Sequence, residues 1–449
     1  MEDKVLLKRK IYNKLLDLKN QSNGKSAMLV EGARRVGKST IVEEFAKNEY
    51  KSYILIDFNK VDEKTKNLFI EERENINYIF EQLSFKYSKE LYNRESVIIF
   101  DEVQFCPEAR SFIKYLVDDG RYDYIETGSL ISIKKNVEKI VIPSEEESIT
   151  MYPLDFEEFC WALEDTITVP FLKECFEKRR PLVQLHHEAM KKFRTYLMVG
   201  GMPQAVVEYK KTLSLRDTDV VKRRILKLYK DDIGKYASNI EKTLGIYLNI
   251  PGELSKKNKT FTISSIEENA RNRSFEDSII WLNEAKMVNT CYNVTDPSIS
   301  LLLTKDKNDY KCYHADTGLL ITQTFENKPY LNNEIYKALL DDKLNINEGM
   351  IVENYVAQTL KNNGYDLFFY RNEDRTNQEN TMEIAFIISQ DMKLNPIEVK
   401  SGNYKKHTSI DRFKKKYNKK VGTRYVLHTK DLKVEGDLVY LPLYMTMFL

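Results

Sequence analysis

Apolar residues recur near helical spacing at Val5, Leu7, Ile11, Leu15 and Leu18, with lysines between them, and predict a helix over 5–18. The pattern then alternates. Ala27-Met28-Leu29-Val30 is a continuous apolar run of the kind that makes a buried strand, and Thr40 to Ala46 returns to helical spacing. Ser52 to Phe58 predicts a second strand and Glu63 to Lys89 a long charged helical region. A third strand, Glu95 to Phe100, runs straight into Asp101-Glu102, and a fourth, from Arg121, ends in Thr127-Gly128-Ser129. Strands alternating with helices predict an α/β core built on a parallel sheet.

Beyond this core the periodicity turns helical from Asp155 to Tyr236, with Phe156, Phe159 and Leu163 in one stripe and Val220, Ile225 and Leu228 in another. Gly200-Gly201-Met202-Pro203 cannot continue a helix and predicts a turn or hinge. From Ile240 to Tyr313, helical stretches at 242–249, 264–271 and 275–288 precede extended pieces at 291–294 and 300–304, an order that fits a winged helix. Its third helix carries three acids and one lysine, the wrong balance for neutralising phosphates, so partner binding or packing is favoured over DNA reading; Arg271 and Arg273 just before it weigh the other way. Strands are expected again around Leu367 to Tyr370, Met382 to Ser389 and Pro396 to Lys400, with a helix from Ser409.

Candidate chemistry sits at two strand ends. Gly32-Ala33-Arg34-Arg35-Val36-Gly37-Lys38-Ser39 fits G-x-x-x-x-G-K-[ST] at every fixed position, between a strand and a helix as that loop requires. The glycines let successive N–H groups converge on phosphate oxygens at a helix N-terminus, which favours anions. Lys38 would reach the β- and γ-phosphates, Ser39 would ligate Mg2+, and Thr40 lies in the same first turn. Some 60 residues on, Asp101 would hold the metal and Glu102 would activate water, while Thr127 or Ser129 would sense the γ-phosphate.

These motifs, together with Phe100-Asp101-Glu102-Val103-Gln104, Met151 to Phe159, Gly200 to Pro203, Tyr229 to Ile233, Ala315 to Leu320, Gly349 to Asn354 and Ile397 to Gly402, make the chain resemble the prokaryotic AAA-type ATPases that carry a C-terminal domain of unknown function. The resemblance covers nearly the whole chain. It implies an AAA-type P-loop NTPase core at 1–160, a helical lid and winged helix at 161–325, and a restriction-endonuclease-like α/β domain at 326–449. It implies ATP as the nucleotide, a choice the loop itself leaves open because it reads phosphates and not the base. It also brings in Gln104 as a residue that positions water or reports nucleotide state, and an arginine finger from a neighbouring subunit, with Arg110 and Arg121 as candidates. In the nuclease-like part the family's Glu-x-Lys survives as Glu398-Val399-Lys400, and Glu353 lies on the preceding helix. The expected metal-binding aspartate is Ala385, and Glu383, two residues away on the same face, is a substitute displaced by about 6.6 Å along the strand. Glu353, Glu383, Glu398 and Lys400 are therefore expected to form a degenerate nuclease site.

Composition changes little. Charged residues make up 31% of 449, yet the formal net charge is +2, so any nucleic-acid contact must be local. The local candidate is the lysine-rich run Lys405 to Lys420 with Tyr404, Phe413 and Tyr417 interleaved, which would reach DNA or a protein partner. Five cysteines without a C-x-x-C pair fit free thiols in a reducing cytosol. Met1 to Lys4 opens a charged pattern unlike a signal peptide, and no apolar run is long enough to span a bilayer, so a cytoplasmic, membrane-free protein is expected. The leading expectation is an Mg2+-dependent ATPase, able to form homo-oligomers, that gates a change acting on a nucleic-acid or protein partner. The rivals are a non-hydrolysing nucleotide switch, an ATP-gated nuclease and a winged-helix transcriptional regulator.

Overall fold

A computed structural model describes residues 5–130, 141–298, 300–326, 336–337, 341, 348–374, 376, 380–402 and 404–449; Met1 to Lys4 and much of the stretch after the expected boundary at 325/326 lie outside the described residues. The chain divides into two compact units, one of residues 6–152 with 284–286 and one of 153–283 and 287–449.

In the first unit, α1 (Ile11–Ser22) leads to β1 (Ala27–Glu31) and α2 (Lys38–Glu49). The helix starts later than its apolar spacing predicts, because Val5 and Leu6 are exposed and only Ile11 and Leu15 are buried. β2 (Ser52–Asp57) follows. The charged region then forms two helices, α3 (Glu63–Glu71) and α4 (Ile76–Tyr87). Each has its own N-cap, Asp62 accepting from the Thr65 N–H and Asn75 from the Tyr78 N–H, so local capping splits what periodicity alone would join. β3 (Ser96–Asp101), α5 (Pro107–Asp119), β4 (Asp123–Gly128) and β5 (Glu146–Thr150) complete a five-stranded parallel sheet in the order β2-β3-β4-β1-β5. Every residue of β3 and β4 is buried, and Phe58, Phe69 and Phe100 pack edge-to-face beside them. This order inserts β4 between β1 and β3. The C-terminal ends of all three therefore line up, where open α/β sheets bind ligands.

β4 also buries a carboxyl. Glu126 is fully enclosed and neither of its oxygens meets a hydrogen-bond donor, while Glu146 beside it accepts two hydrogen bonds from Arg110, at 2.9 and 2.8 Å. Burial first, then the Glu146 charge, pushes the Glu126 carboxyl well above the carboxylate range. A folded value above the unfolded one means that the native state holds the extra proton, so this group's stabilisation is complete below the unfolded value and is lost as pH rises. Glu126→Gln removes that loss. Its unfolding free energy from urea melts should match wild type near pH 5 and exceed it progressively toward pH 8, by up to about 1.4 kcal/mol per pH unit; a constant difference would mean that Glu126 is ionised throughout.

The second unit begins with helices Phe156–Ala162, Thr168–Glu177, Leu185–Val199, Pro203–Thr212, Leu215–Tyr236 and Ile240–Ser255. The Gly200-Gly201 corner, expected to be a turn or hinge, is a held turn. The Asp316 carboxylate accepts from the Gly201 N–H at 2.6 Å and the Leu319 N–H at 2.8 Å, and buried Lys222 donates to the carbonyls of Met198 and Gly318 at 2.6 and 3.3 Å. The middle region also differs from the sequence expectation in its individual elements. Residues 264–271 form only a short 3-10 turn at Ile263–Ser265, the third helix is Glu276–Glu284, and 301–304 is a 3-10 turn instead of a strand.

β6 (Val288–Val294) and β7 (Lys305–His314) make the hairpin. β6 then pairs in parallel with β8 (Phe368–Asn372), which pairs with β9 (Met382–Ile384), so one four-stranded sheet, β7-β6-β8-β9, joins strands from both sides of the expected boundary at 325/326. A second sheet has the order β10-β11-β12-β14-β13, from β10 (Phe386–Gln390), β11 (Lys393–Val399), β12 (Arg424–His428), β13 (Lys433–Glu435) and β14 (Leu438–Pro442), with the Thr408–Tyr417 helix burying Ile410 and Phe413. Ala385 is the bend where β9 of one sheet passes to β10 of the other.

Candidate nucleotide site

The loop between β1 and α2 takes a left-handed path. Arg35 has φ +71° and Gly37 φ +98°, and a Cβ on Gly32 would lie 2.3 Å from the Met151 carbonyl oxygen, so only glycine fits there. α2 begins at Lys38 with no side-chain cap, which leaves its first N–H groups to an anion. Ala33 and Val36 are buried, Arg34 is half-buried, and Ser39 and Thr40 lie half-buried in the first turn of α2. Lys38 is buried and lies back across the loop, donating to the carbonyls of Gly32 and Ala33 at 3.0 Å each. Burial lowers its ammonium to about 8, against the pull of Glu102 and Asp101.

The neighbouring strand ends converge on one oxygen. The Ser39 hydroxyl donates to Asp101 Oδ1 at 2.7 Å, and the Thr127 hydroxyl donates to the same oxygen at 2.5 Å while accepting from the Glu102 N–H at 3.3 Å. Burial raises the Asp101 carboxyl, and those two hydroxyls oppose the rise. Glu102 is half-buried and leaves β3 in a left-handed conformation, φ +54°, a strained arrangement of the sort found at working sites. The Gln104 amide donates to Glu102 Oε2 at 2.5 Å, and its own Oε1 is buried without a donor. Ser129 is buried just past β4, whereas the contact to Asp101 comes from Thr127. A serine hydroxyl and a carboxylate at contact distance, both hard oxygen donors, fit a magnesium ion.

The arginine-finger candidates are committed elsewhere. Arg110 is buried against Glu146, and Arg121 precedes β4, at the opposite edge of the sheet, where it pairs with Asp119 at 2.8 Å and lies over Phe80. Sequence reasoning missed Arg9, whose guanidinium reaches the loop carbonyl of Val36 at 2.9 Å and the Tyr152 carbonyl at 2.6 Å. Within Lys8-Arg9-Lys10 nothing distinguishes it from a solvated cation.

The four residues expected to form a nuclease site fall into two separate groups. Glu353 accepts from Tyr313 at 2.6 Å, from Lys311 at 3.3 Å and from Lys259; Lys311 also pairs with Glu383 at 2.7 Å. Those lysines outweigh burial and hold the Glu353 carboxyl down at about 2. Glu398 is buried with Lys400 at 3.6 Å, and burial pushes its carboxyl up. Among the described residues, no three His, Cys, Asp or Glu side chains are grouped to hold a metal. The basic run is also largely engaged within the chain: Lys414 pairs with Asp437, Arg412 donates to the Thr381 carbonyl, Lys416 to the Tyr370 hydroxyl and Lys420 to the Pro297 carbonyl.

Comparison with known families matches an AAA domain to residues 24–160, and two domains of unknown function, DUF8612 and DUF4143, to residues 190–329 and 348–445. Curated proteins yield no match. Among solved structures, a Walker-type ATPase of Pyrococcus abyssi is similar at 15% identity over 71% of this chain and 96% of that one, with TM-score 0.44. The ORC1 protein of Aeropyrum pernix, solved in complex with DNA, is similar at 13% identity over 72% and 93%, with TM-score 0.29, and C. elegans PCH-2 at 14% over 48% and 65%, with TM-score 0.26. The chain thus carries a region that matches an AAA domain, followed by regions that match two domains of unknown function.

Proposed function

We propose that the protein hydrolyses ATP with magnesium and uses the nucleotide state to gate a conformational change acting on a nucleic-acid or protein partner. The observation that carries this reading is the convergence of Ser39 and Thr127 on Asp101 beside buried Lys38, which gathers the groups that phosphoryl transfer needs at one sheet edge. Ser39 and Asp101 would hold the magnesium, which would supply positive charge against the transferred phosphoryl group. Lys38 carries the β- and γ-phosphates, Gly32 to Thr40 wrap them with backbone N–H groups, and Thr127 reports the γ-phosphate to Asp101. Glu102 takes the proton of the attacking water, and the Gln104 amide, donating to Glu102 Oε2, orients that carboxylate toward the water.

In the same reading residues 1–160 are the ATPase core, 161–325 a lid and a winged-helix-like region, and 326–449 a nuclease-like domain, in a cytoplasmic protein of prokaryotic type. That last domain binds a partner without cutting, because Lys311 and Lys259 neutralise Glu353 and Glu383 and Ala385 stands where a metal ligand belongs.

Steady-state phosphate release, with magnesium and with EDTA, tests the ATPase. Turnover that requires the metal is expected, and ATP binding without turnover under any condition would turn the reading into a nucleotide switch. Incubation with single- and double-stranded DNA and RNA in magnesium or manganese should leave the strands intact; metal-dependent cutting lost in Lys400→Ala would overturn the non-cleaving assignment.

A further inference from the structure

The phosphate loop is braced from outside its own motif. Arg9 lies two residues before the start of α1, which is seated on α2 through the Tyr12 ring against Phe45 at 5.3 Å and the Tyr12 hydroxyl on Glu49 at 2.6 Å. The Arg9 carbonyl accepts from the Tyr12 N–H, so the residue starts from a fixed point. The residue is 7% exposed, and its guanidinium spans from the Val36 carbonyl in the loop to the Tyr152 carbonyl just past β5. The β5 end is itself tied to the loop: the Met151 N–H donates to the Glu31 carbonyl at 2.7 Å, and the Met151 carbonyl lies against Gly32.

We propose that Arg9 is a positioning residue for phosphate binding: by holding the Val36 carbonyl on the outside of the loop it turns the Gly37 N–H inward, toward the nucleotide's phosphates. The reason is peptide geometry. In a planar trans peptide the C=O of one residue and the N–H of the next point in opposite directions, so fixing the Val36 oxygen fixes the Gly37 hydrogen. Gly37, at φ +98°, has the conformational freedom to swing that peptide out of register when nothing holds it. A buried guanidinium beside the loop also adds a fixed positive charge where an anion arrives. The inference rests on the ATP reading above and concerns the same loop.

The test compares wild type, Arg9→Ala and Arg9→Lys by calorimetric titration of ATP and of tripolyphosphate, both with magnesium, alongside the inhibition constant of adenosine in nucleotide displacement. Loss of a charge-assisted hydrogen bond should weaken ATP and tripolyphosphate together by about tenfold to a hundredfold in Arg9→Ala. Arg9→Lys should recover part of this, since an ammonium keeps the charge without the two-pronged fork. Adenosine, having no phosphate, should bind all three proteins alike. Unchanged tripolyphosphate affinity in Arg9→Ala overturns the proposal, and so does an equal loss for adenosine, which would mark a merely structural role. Wild type that binds tripolyphosphate but not ATP sinks the ATP reading alone, and wild type that binds neither sinks both.

Discussion

Glu102→Gln is expected to bind ATP as wild type does and to release phosphate about a hundredfold to ten-thousandfold more slowly, the usual weight of a general base. The substitution keeps the side chain's size and its place beside Gln104, so binding through the loop should survive. It removes only the capacity to take a proton. Lys38→Ala should fail earlier. Its ammonium is the group that crosses the loop to the Gly32 and Ala33 carbonyls, and without it those carbonyls lose their partner and the phosphates their cation. Titration of ATP together with phosphate release separates the two: tight binding with no turnover for Glu102→Gln, weak binding for Lys38→Ala. Wild-type turnover in Glu102→Gln would remove that residue as the base and point to a water held by Gln104 and Thr127 alone.

The candidate nucleotide site was legible because its chemistry is local. A loop with four fixed positions, and an apolar strand ending in two acids, each carry their signal within a few residues, and sheet order alone then sets Thr127 on Asp101. What escaped was set by contacts distant in sequence. The expected helix at 264–271 gives way because the Phe261 N–H pairs with the Tyr310 carbonyl and draws that segment alongside β7. The parallel pairing of β6 with β8 leaves no trace in either strand's own pattern, so the continuous sheet across 325/326 could not be read. The same holds for Glu353: its apolar helix and its place before the Glu-x-Lys strand fit a ligand, and only the fold reveals that Lys311 and Lys259 are aimed at it. Gly200-Gly201 could be recognised as a helix break, while its partner, the Asp316-Thr317-Gly318 corner, lies more than a hundred residues away.

That corner should tolerate no side chain. A methyl carbon on Gly318 would lie 2.5 Å from the Gly200 Cα, 2.6 Å from its nitrogen and 2.8 Å from the Val199 carbonyl oxygen, all backbone atoms with no rotamer to escape into. Two turns must then separate, and with them go the Asp316 bond to the Gly201 N–H and the Lys222 bond to the Gly318 carbonyl, leaving a buried carboxylate and a buried ammonium short of partners. Overpacking costs about 1–3 kcal/mol by itself, and each buried polar group left unsatisfied adds about as much, so Gly318→Ala should cost at least about 3 kcal/mol. Gly234 provides the contrast. It lies inside the Leu215–Tyr236 helix with nothing within 4 Å of a Cβ, so Gly234→Ala should stabilise by about 0.5–1 kcal/mol through helix propensity. Urea melts of the two variants should therefore move in opposite directions. If Gly318→Ala melts with wild type, the two corners can part freely, and the hinge expected from the sequence at Gly200-Gly201 would be restored in place of the held turn.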